Sequence, residues 1–213
     1  MKAKAKSPAP AATRPRDRAA TEKKILAAAA RLAARDGFAA LGVNALAAEA
    51  GFDKKLIARY FGGIDGVVAA LGRDTDLWLA DVKVGRSGKY GDFVRDLLLA
   101  YAGKLREEKL LQSLLAWELA ESSKTLKTLD ANRSRAMQAW MVAQRGALAP
   151  PPGVDAPAIN AILLAAVNYL ALRERTLGGF AGMDLKGPEA WKRIGAALAA
   201  LLDGVHGKAK PPA

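Results

Sequence analysis

Three basic side chains lie close together in a short segment that the sequence predicts to be helical. Lys54, Lys55 and Arg59 fall within about one and a half helical turns, beside Leu56 and Tyr60. Lysine neutralises phosphates, and arginine can bind a guanine edge through two hydrogen bonds. The pattern favours binding of double-stranded DNA, although the solvated basic face of an ordinary core helix would look the same.

A helix-turn-helix is predicted to position these side chains. Residues 43–50 have a helical pattern, Gly51 interrupts it as a residue of positive φ would, and Asp53 can cap a second short helix over residues 54–61. The first helix must brace the second, so that the outer face of the second enters the major groove. Five apolar residues are predicted to form the bracing core: Leu46, Ala47, Phe52, Ile57 and Phe61.

Composition argues against most catalytic and metal chemistry. The 213 residues include no cysteine and one histidine, His206. A disulfide scaffold, an iron–sulfur cluster and a cysteine nucleophile are therefore excluded, and histidine-based zinc sites and Ser–His–Asp triads are disfavoured. No paired carboxylates or nucleophile–base set stands out. We expect a protein that is not an enzyme, with no catalytic residues, no metal and no cofactor.

The net charge indicates a polyanionic partner. Lysine and arginine number 33 against 21 acidic residues, which gives +12. Residues 1–24 hold eight basic and two acidic side chains, so half of the excess lies there. Residues 1–16 are rich in Ala, Pro and Lys and are predicted to be a disordered basic arm. Such an arm can reach along DNA, or it can simply keep the protein soluble.

No segment is predicted to cross a membrane or to be a secretory signal. The longest uncharged helical run, residues 156–172, contains Pro157, Asn160 and Asn168. We therefore expect a cytoplasmic, nucleoid-associated protein with no membrane partner.

An all-α fold is predicted, because Ala, Leu, Lys, Arg and Glu dominate and no run alternates as strands do. Thr21 is expected to cap the first helix, over residues 21–36, and residues 65–82 to form the fourth. Further helices are predicted over residues 92–107, 109–121, 125–146, 156–177 and 188–205. We divide the chain into the arm (1–16), a three-helix helix-turn-helix domain (17–66), a larger C-terminal helical domain for ligand binding and dimerisation (67–206) and a tail (207–213).

Three motifs resemble a known family. Residues 25–38 read ILAAAARLAARDGF, residues 46–52 read LAAEAGF, and residues 56–71 read LIARYFGGIDGVVAAL. In this order and spacing they resemble the DNA-binding domain of the tetracycline-repressor (TetR) family. The resemblance implies an all-α homodimer with a divergent C-terminal domain that binds a small effector. The predicted DNA-binding residues are Thr21, Asn44, Asp53, Lys54, Lys55, Leu56, Arg59 and Tyr60.

Four positions depart from the family pattern. Gly42 replaces a capping Ser or Thr, Asp53 replaces a Ser, Ala58 replaces a frequent aromatic residue, and Ile64 replaces a Lys that often touches the DNA backbone. Each change removes or weakens a phosphate contact. We hypothesise that the basic arm and the two lysines at positions 54 and 55 compensate.

Two C-terminal helices are predicted to form a dimer. The helix over residues 156–177 is apolar on both sides, so one side can pack on its own domain and the other on a partner subunit. In the resembled family, this helix and the last helix, here residues 188–205, pair with those of the second subunit in a four-helix interface. A monomer that buries both sides internally is the alternative. The predicted interface residues are Leu164, Asn168, Ala171, Leu172, Trp191, Leu198 and Leu202.

Helical periodicity places the charges of Glu118, Arg133 and Arg173 among apolar residues, where a charge needs a partner. An internal salt bridge between Glu118 and one arginine is the simpler interpretation. The alternative is an effector pocket with a preference for an anionic ligand. The predicted pocket residues are Tyr101, Trp117, Glu118, Arg133, Met137, Trp140, Tyr169 and Arg173.

Together these patterns predict a sequence-specific transcriptional regulator. We expect a repressor that binds a double-stranded DNA operator as a homodimer and is released by an unidentified small-molecule effector. A non-specific nucleoid or anionic-surface binding protein is the alternative, because the charge would support either.

Overall fold

The computed structural model describes residues 15–74, 78–79, 82–85 and 88–206. The predicted arm up to residue 14 and the tail from residue 207 lie outside the described residues. The helices are α1 (Pro15–Asp36), α2 (Val43–Ala50), α3 (Lys54–Phe61), α4 (Ile64–Arg73), α5 (Tyr90–Glu107), α6 (Lys109–Ala120), α7 (Lys124–Arg145), α8 (Ala156–Thr176) and α9 (Pro188–His206), with a 3-10 turn at Phe38–Ala40. Two short strands, β1 (Gly179–Phe180) and β2 (Met183–Asp184), pair antiparallel between α8 and α9.

The first four helices form a small domain around α1. Ile25 and Ala29 of α1, Leu46 of α2 and Ile57 of α3 are fully buried together with Val67 of α4. The turn between α2 and α3 needs glycine at residue 51, since its φ of 69° is left-handed. The bracing core predicted for the helix-turn-helix is therefore present.

The C-terminal helices pack around α5, with α8 and α9 along it. Asn160 Nδ2 donates to Tyr90 Oη at 2.8 Å and joins the beginnings of α5 and α8. At their other ends, the Arg106 guanidinium donates to Glu174 at 2.8 Å. The two helices therefore run in the same direction.

A tight contact between α4 and α7 joins the two domains. A Cβ atom on Gly72 would lie 2.5 Å from the carbonyl oxygen of Leu129, so only glycine fits between the helices. Asn132 Nδ2 donates to the carbonyl of Ala69 at 3.0 Å, and Thr125 Oγ1 donates to Asp65 at 2.6 Å. Any displacement of α7 must act on α4.

The all-α class is confirmed, and three local predictions are wrong. Helix α1 begins at Pro15, so Thr21 lies inside the helix and does not cap it. Helix α4 ends at Arg73 because Asp74 is extended, well before the predicted end at residue 82. The loop before α9 contains the β1–β2 hairpin, which was not predicted because its strands are only two residues long.

Candidate DNA-binding surface and ligand pocket

Helix α3 presents the predicted basic side chains to solvent. The Asp53 side chain caps α3 by accepting from the Lys55 backbone N–H at 2.7 Å. Ile57 is buried on the inner side, whereas Lys54, Lys55 and Arg59 are exposed. The cap and the buried isoleucine fix which face of α3 points outward, and that face carries the three positive charges.

The first turns of α1 lie beside the end of α3. The Arg18 guanidinium sits 5.2 Å from the centre of the Tyr60 ring and also forms an ion pair with Glu22 at 2.7 Å. Tyr60 is therefore half-buried and held in place, next to the basic face. Of the other three predicted DNA contacts, Asn44 is exposed near the start of α2, and Thr21 and Leu56 are half-buried.

Two further arginines of α1 form ion pairs with another helix of the same domain. Arg31 Nε and an Arg35 Nη atom each lie 3.1 Å from a carboxylate oxygen of Glu49 on α2. These hydrogen bonds, Arg35 first, lower the pKa of Glu49. These two arginines join α1 to α2, and we do not count their charges with the basic face of α3.

A cavity of about 390 Å³ opens between α5, α6, α7 and α8. Its wall is mainly apolar, with residues such as Phe93, Leu97 and Met141. Size and lining are typical of sites for small organic ligands. Five of the eight predicted pocket residues line it: Tyr101, Glu118, Arg133, Met137 and Trp140.

Glu118 and Arg133 form an ion pair in the cavity wall. Arg133 Nη2 lies 2.5 Å from Glu118 Oε1 and 3.0 Å from the exposed carboxylate of Asp130. The predicted internal salt bridge is therefore present, and the same pair lines the cavity; that the cavity binds an effector stays a prediction. Burial raises the pKa of Glu118, with Arg133 acting in the opposite direction, and burial raises the pKa of Tyr101 to about 12.

Trp117, Tyr169 and Arg173 do not line the cavity, contrary to prediction. Trp117 stacks on Phe38 with ring centres 5.2 Å apart, because it lies on the face of α6 that meets the N-terminal domain. Tyr169 contacts the Phe180 ring edge-on at 4.9 Å, and Arg173 lies within 6.0 Å of both ring centres.

Arg145 and Asn160 line the cavity and were not predicted, and Leu164 and Asn168 line it although both are predicted for the dimer interface. The spacing of residues on α7 could have predicted that Arg145 lines the cavity. Arg133, Met137, Met141 and Arg145 recur every fourth residue on α7, which places them on one face of the helix.

Large apolar side chains are exposed on both α8 and α9. Ile162 is 69% exposed, Tyr169 45% and Leu201 57%. We call these three residues the α8–α9 surface. By length and composition α8 could also cross a membrane, although Leu163 and Val167 on its other side are buried in the core.

The predicted dimer interface needs correction. Four of its residues are buried inside the protomer, because the inner faces of α8 and α9 pack there: Ala171, Trp191, Leu198 and Leu202. Trp191 Nε1 donates to Glu174 at 2.9 Å, and the Arg106 guanidinium covers its ring. Leu164 remains exposed, and Leu172 is half-buried.

Residues 25–71 match the family described as "Bacterial regulatory proteins, tetR family". No curated protein matches the chain. These 47 residues contain all of α2 and α3, and therefore the whole basic face of α3.

Solved structures share the fold over nearly their whole length. A TetR-family transcriptional regulator from Haemophilus influenzae is 18% identical with a TM-score of 0.60, and the match covers 85% of this chain and 96% of that one. FadR from Bacillus subtilis, in complex with stearoyl-CoA, is 15% identical with a TM-score of 0.60 and coverages of 87% and 98%. GusR from Salmonella enterica is 14% identical with a TM-score of 0.58 and coverages of 88% and 96%. At these identities the likeness establishes the fold.

Proposed function

We propose that the protein is a homodimeric, DNA-binding repressor released by a small-molecule effector, because residues 25–71 match the tetR family of bacterial regulatory proteins. The observation that carries the proposal is the outward basic face of α3, fixed by the Asp53 cap and by buried Ile57. The predicted division between residues 66 and 67 falls inside α4, so the boundary is placed after α4, and the protein is expected to act in the cytoplasm on the nucleoid.

We assign the DNA contacts by exposure. Lys54 and Lys55, near the N-terminus of α3, would neutralise phosphates, and Arg59 one turn later would bind a base edge. Asn44, exposed at the start of α2, would add a backbone contact. Leu56 and Tyr60, both half-buried, would give apolar contact at the groove wall.

The dimer would place two copies of α3 on one side of the DNA. The α8–α9 surface is the proposed contact, because Ile162, Tyr169 and Leu201 expose apolar area that a second copy of the chain could cover. A two-fold dimer presents its recognition helices to two half-sites with matching symmetry.

The cavity is the proposed effector site. FadR is described with stearoyl-CoA, which supports a ligand-binding role for a domain of this fold. A ligand that prefers one position of α7 would shift α4 through the contact between Leu129 and Gly72, where a side chain has no room. This change would alter the spacing of the two α3 helices and so the affinity for DNA.

Substitution of Arg59 tests the DNA-binding proposal. A DNA fragment selected by the protein is compared with a shuffled duplex by fluorescence anisotropy. Arg59→Ala is expected to weaken specific binding by about tenfold to a hundredfold, because a bidentate arginine–guanine contact contributes about 1–3 kcal/mol. Arg193→Ala, which removes an exposed arginine from α9, is the control and is expected to have no effect.

The alternative of non-specific binding predicts a different result. If the net charge of +12 acts alone, both arginine variants should weaken binding equally and both DNA duplexes should bind equally. That result would contradict the proposed function.

A further inference from the structure

The cavity holds polar side-chain atoms that have no partner in the protein. Among the described residues, five side-chain nitrogen or oxygen atoms are buried without a hydrogen bond, and four of them belong to residues that line the cavity. They are Nε of Arg133, Nε of Arg145, Oδ1 of Asn160 and Oδ1 of Asn168. Buried polar groups normally have partners, so this clustering indicates that something else supplies them.

Water could satisfy the two amide oxygens, but not the charge of Arg145. Among the described residues that line the cavity, Glu118 has the one carboxylate, and Arg133 already pairs with it. Arg145 forms no ion pair with any residue that the structure describes. A partly buried guanidinium without a counter-ion is costly, and water does not neutralise it. The described part of the wall therefore carries one uncompensated positive charge.

The charge of Arg145 lies far along α7 from the ion pair between Arg133 and Glu118. Arg133 and Arg145 are twelve residues apart, which is about 18 Å at 1.5 Å per residue. Met137, Trp140 and Met141 line the stretch between them. The cavity therefore has an ion pair near the middle of α7, an unpaired cation at the C-terminal end of α7, and an apolar, polarisable wall between the two.

We propose that the ligand of this cavity is an elongated amphipathic monocarboxylate, with its carboxylate on Arg145 and its aliphatic or aromatic body between Met137, Trp140 and Met141. One uncompensated cation matches one carboxylate, whereas a polyphosphate would bring charges that the wall does not balance. The inference rests on the proposed function only in taking this cavity as the effector site.

Matched carboxylates and alcohols test the proposal. Decanoate is compared with decan-1-ol, and 6-phenylhexanoate with 6-phenylhexan-1-ol, by titration calorimetry and by the fluorescence of Trp140. The unmodified protein is expected to bind at least one carboxylate about tenfold or more tightly than its alcohol, because a hydrogen bond to a charged group is at stake. Arg145→Gln is expected to abolish this preference while it retains weak binding of the alcohol.

A neighbouring arginine provides the control. Arg135 lies on the same helix, is exposed and does not line the cavity, so Arg135→Gln should keep the preference for carboxylate. Equal affinities for each carboxylate and its alcohol, no binding of either carboxylate, or an unchanged preference in Arg145→Gln would each overturn the proposal.

DNA binding of the same variants separates this proposal from the function. Release of the selected DNA by the carboxylate is measured in the unmodified protein, and Arg145→Gln is expected to need a higher concentration of the carboxylate for the same release. If a carboxylate binds with the expected preference but does not release DNA, the effector role fails and the ligand assignment stands. If specific DNA binding is missing in the unmodified protein, the repressor proposal fails, and calorimetry still decides the ligand class.

Discussion

Replacement of Arg133 by leucine is expected to destabilise the protein by about 3–5 kcal/mol, as loss of one partner of a buried ion pair does. The Arg133 side chain is 13% exposed and that of Glu118 is 22% exposed, so solvent screens the pair weakly. The variant would leave the Glu118 carboxylate in the cavity wall without its cation. Urea unfolding followed by circular dichroism measures the loss.

Two further variants test whether the loss of stability comes from the ion pair. Arg135→Leu removes an exposed arginine from the same helix and is expected to change stability by less than about 0.5 kcal/mol. The double substitution Glu118→Gln with Arg133→Leu removes both charges and is expected to recover much of the loss. If Arg133→Leu cost no more than Arg135→Leu, the pair would not contribute to stability.

The loss in Arg133→Leu should also depend on pH. Burial raises the pKa of Glu118, so the folded protein binds this proton more tightly than the unfolded chain does. The contribution of protonated Glu118 to the free energy of unfolding is present below the ordinary pKa of a glutamate. It is lost as pH rises through the raised pKa of Glu118 in the folded protein. Without Arg133 the pKa should rise further, so the variant should be closer to the unmodified protein at pH 4 than at pH 7.

Substitution of Ile162 by glutamate is expected to convert the proposed dimer to a monomer. Ile162 is the most exposed residue of the α8–α9 surface, and a two-fold interface would carry the new charge twice. Burial of an unpaired carboxylate should raise the dimer dissociation constant by about a hundredfold or more. Sedimentation velocity over a concentration series measures it, and binding to a symmetric DNA site should fall in parallel.

An equally apolar position elsewhere provides the control for this variant. Leu119 on α6 is 80% exposed and lies outside the α8–α9 surface, so Leu119→Glu should leave the dimer intact. An unmodified protein that sediments as a monomer at all concentrations would contradict the dimer. Binding to phospholipid vesicles that Ile162→Glu abolishes would assign the surface to a membrane.

The N-terminal domain could be predicted closely because its signals are local. Gly51 and Asp53 determine where α2 ends and α3 begins, and the buried Ile57 then determines which side of α3 faces solvent. The start of α1 was missed because Pro15 suits the first turn of a helix, whereas Thr21 resembles a cap in sequence only.

The C-terminal domain could be predicted less well because its helices are apolar on more than one side. Periodicity shows that α8 needs cover on two faces, but not which face packs on α5. For this reason Ala171 was placed at the dimer interface although it is buried inside the protomer. The pocket was predicted in part, since Glu118 and Arg133 stand out as charges among apolar residues, while Arg145 lies at the end of its helix.

Selection of DNA by the full-length protein tests the central claim most directly. A random double-stranded library is passed over the protein at physiological salt, and the retained fragments are sequenced. The proposed function predicts one enriched, two-fold symmetric sequence, bound at least about a thousandfold more tightly than a shuffled duplex. Retained fragments that share no sequence, and that are released equally as salt rises, would show that the charge of the chain alone binds DNA.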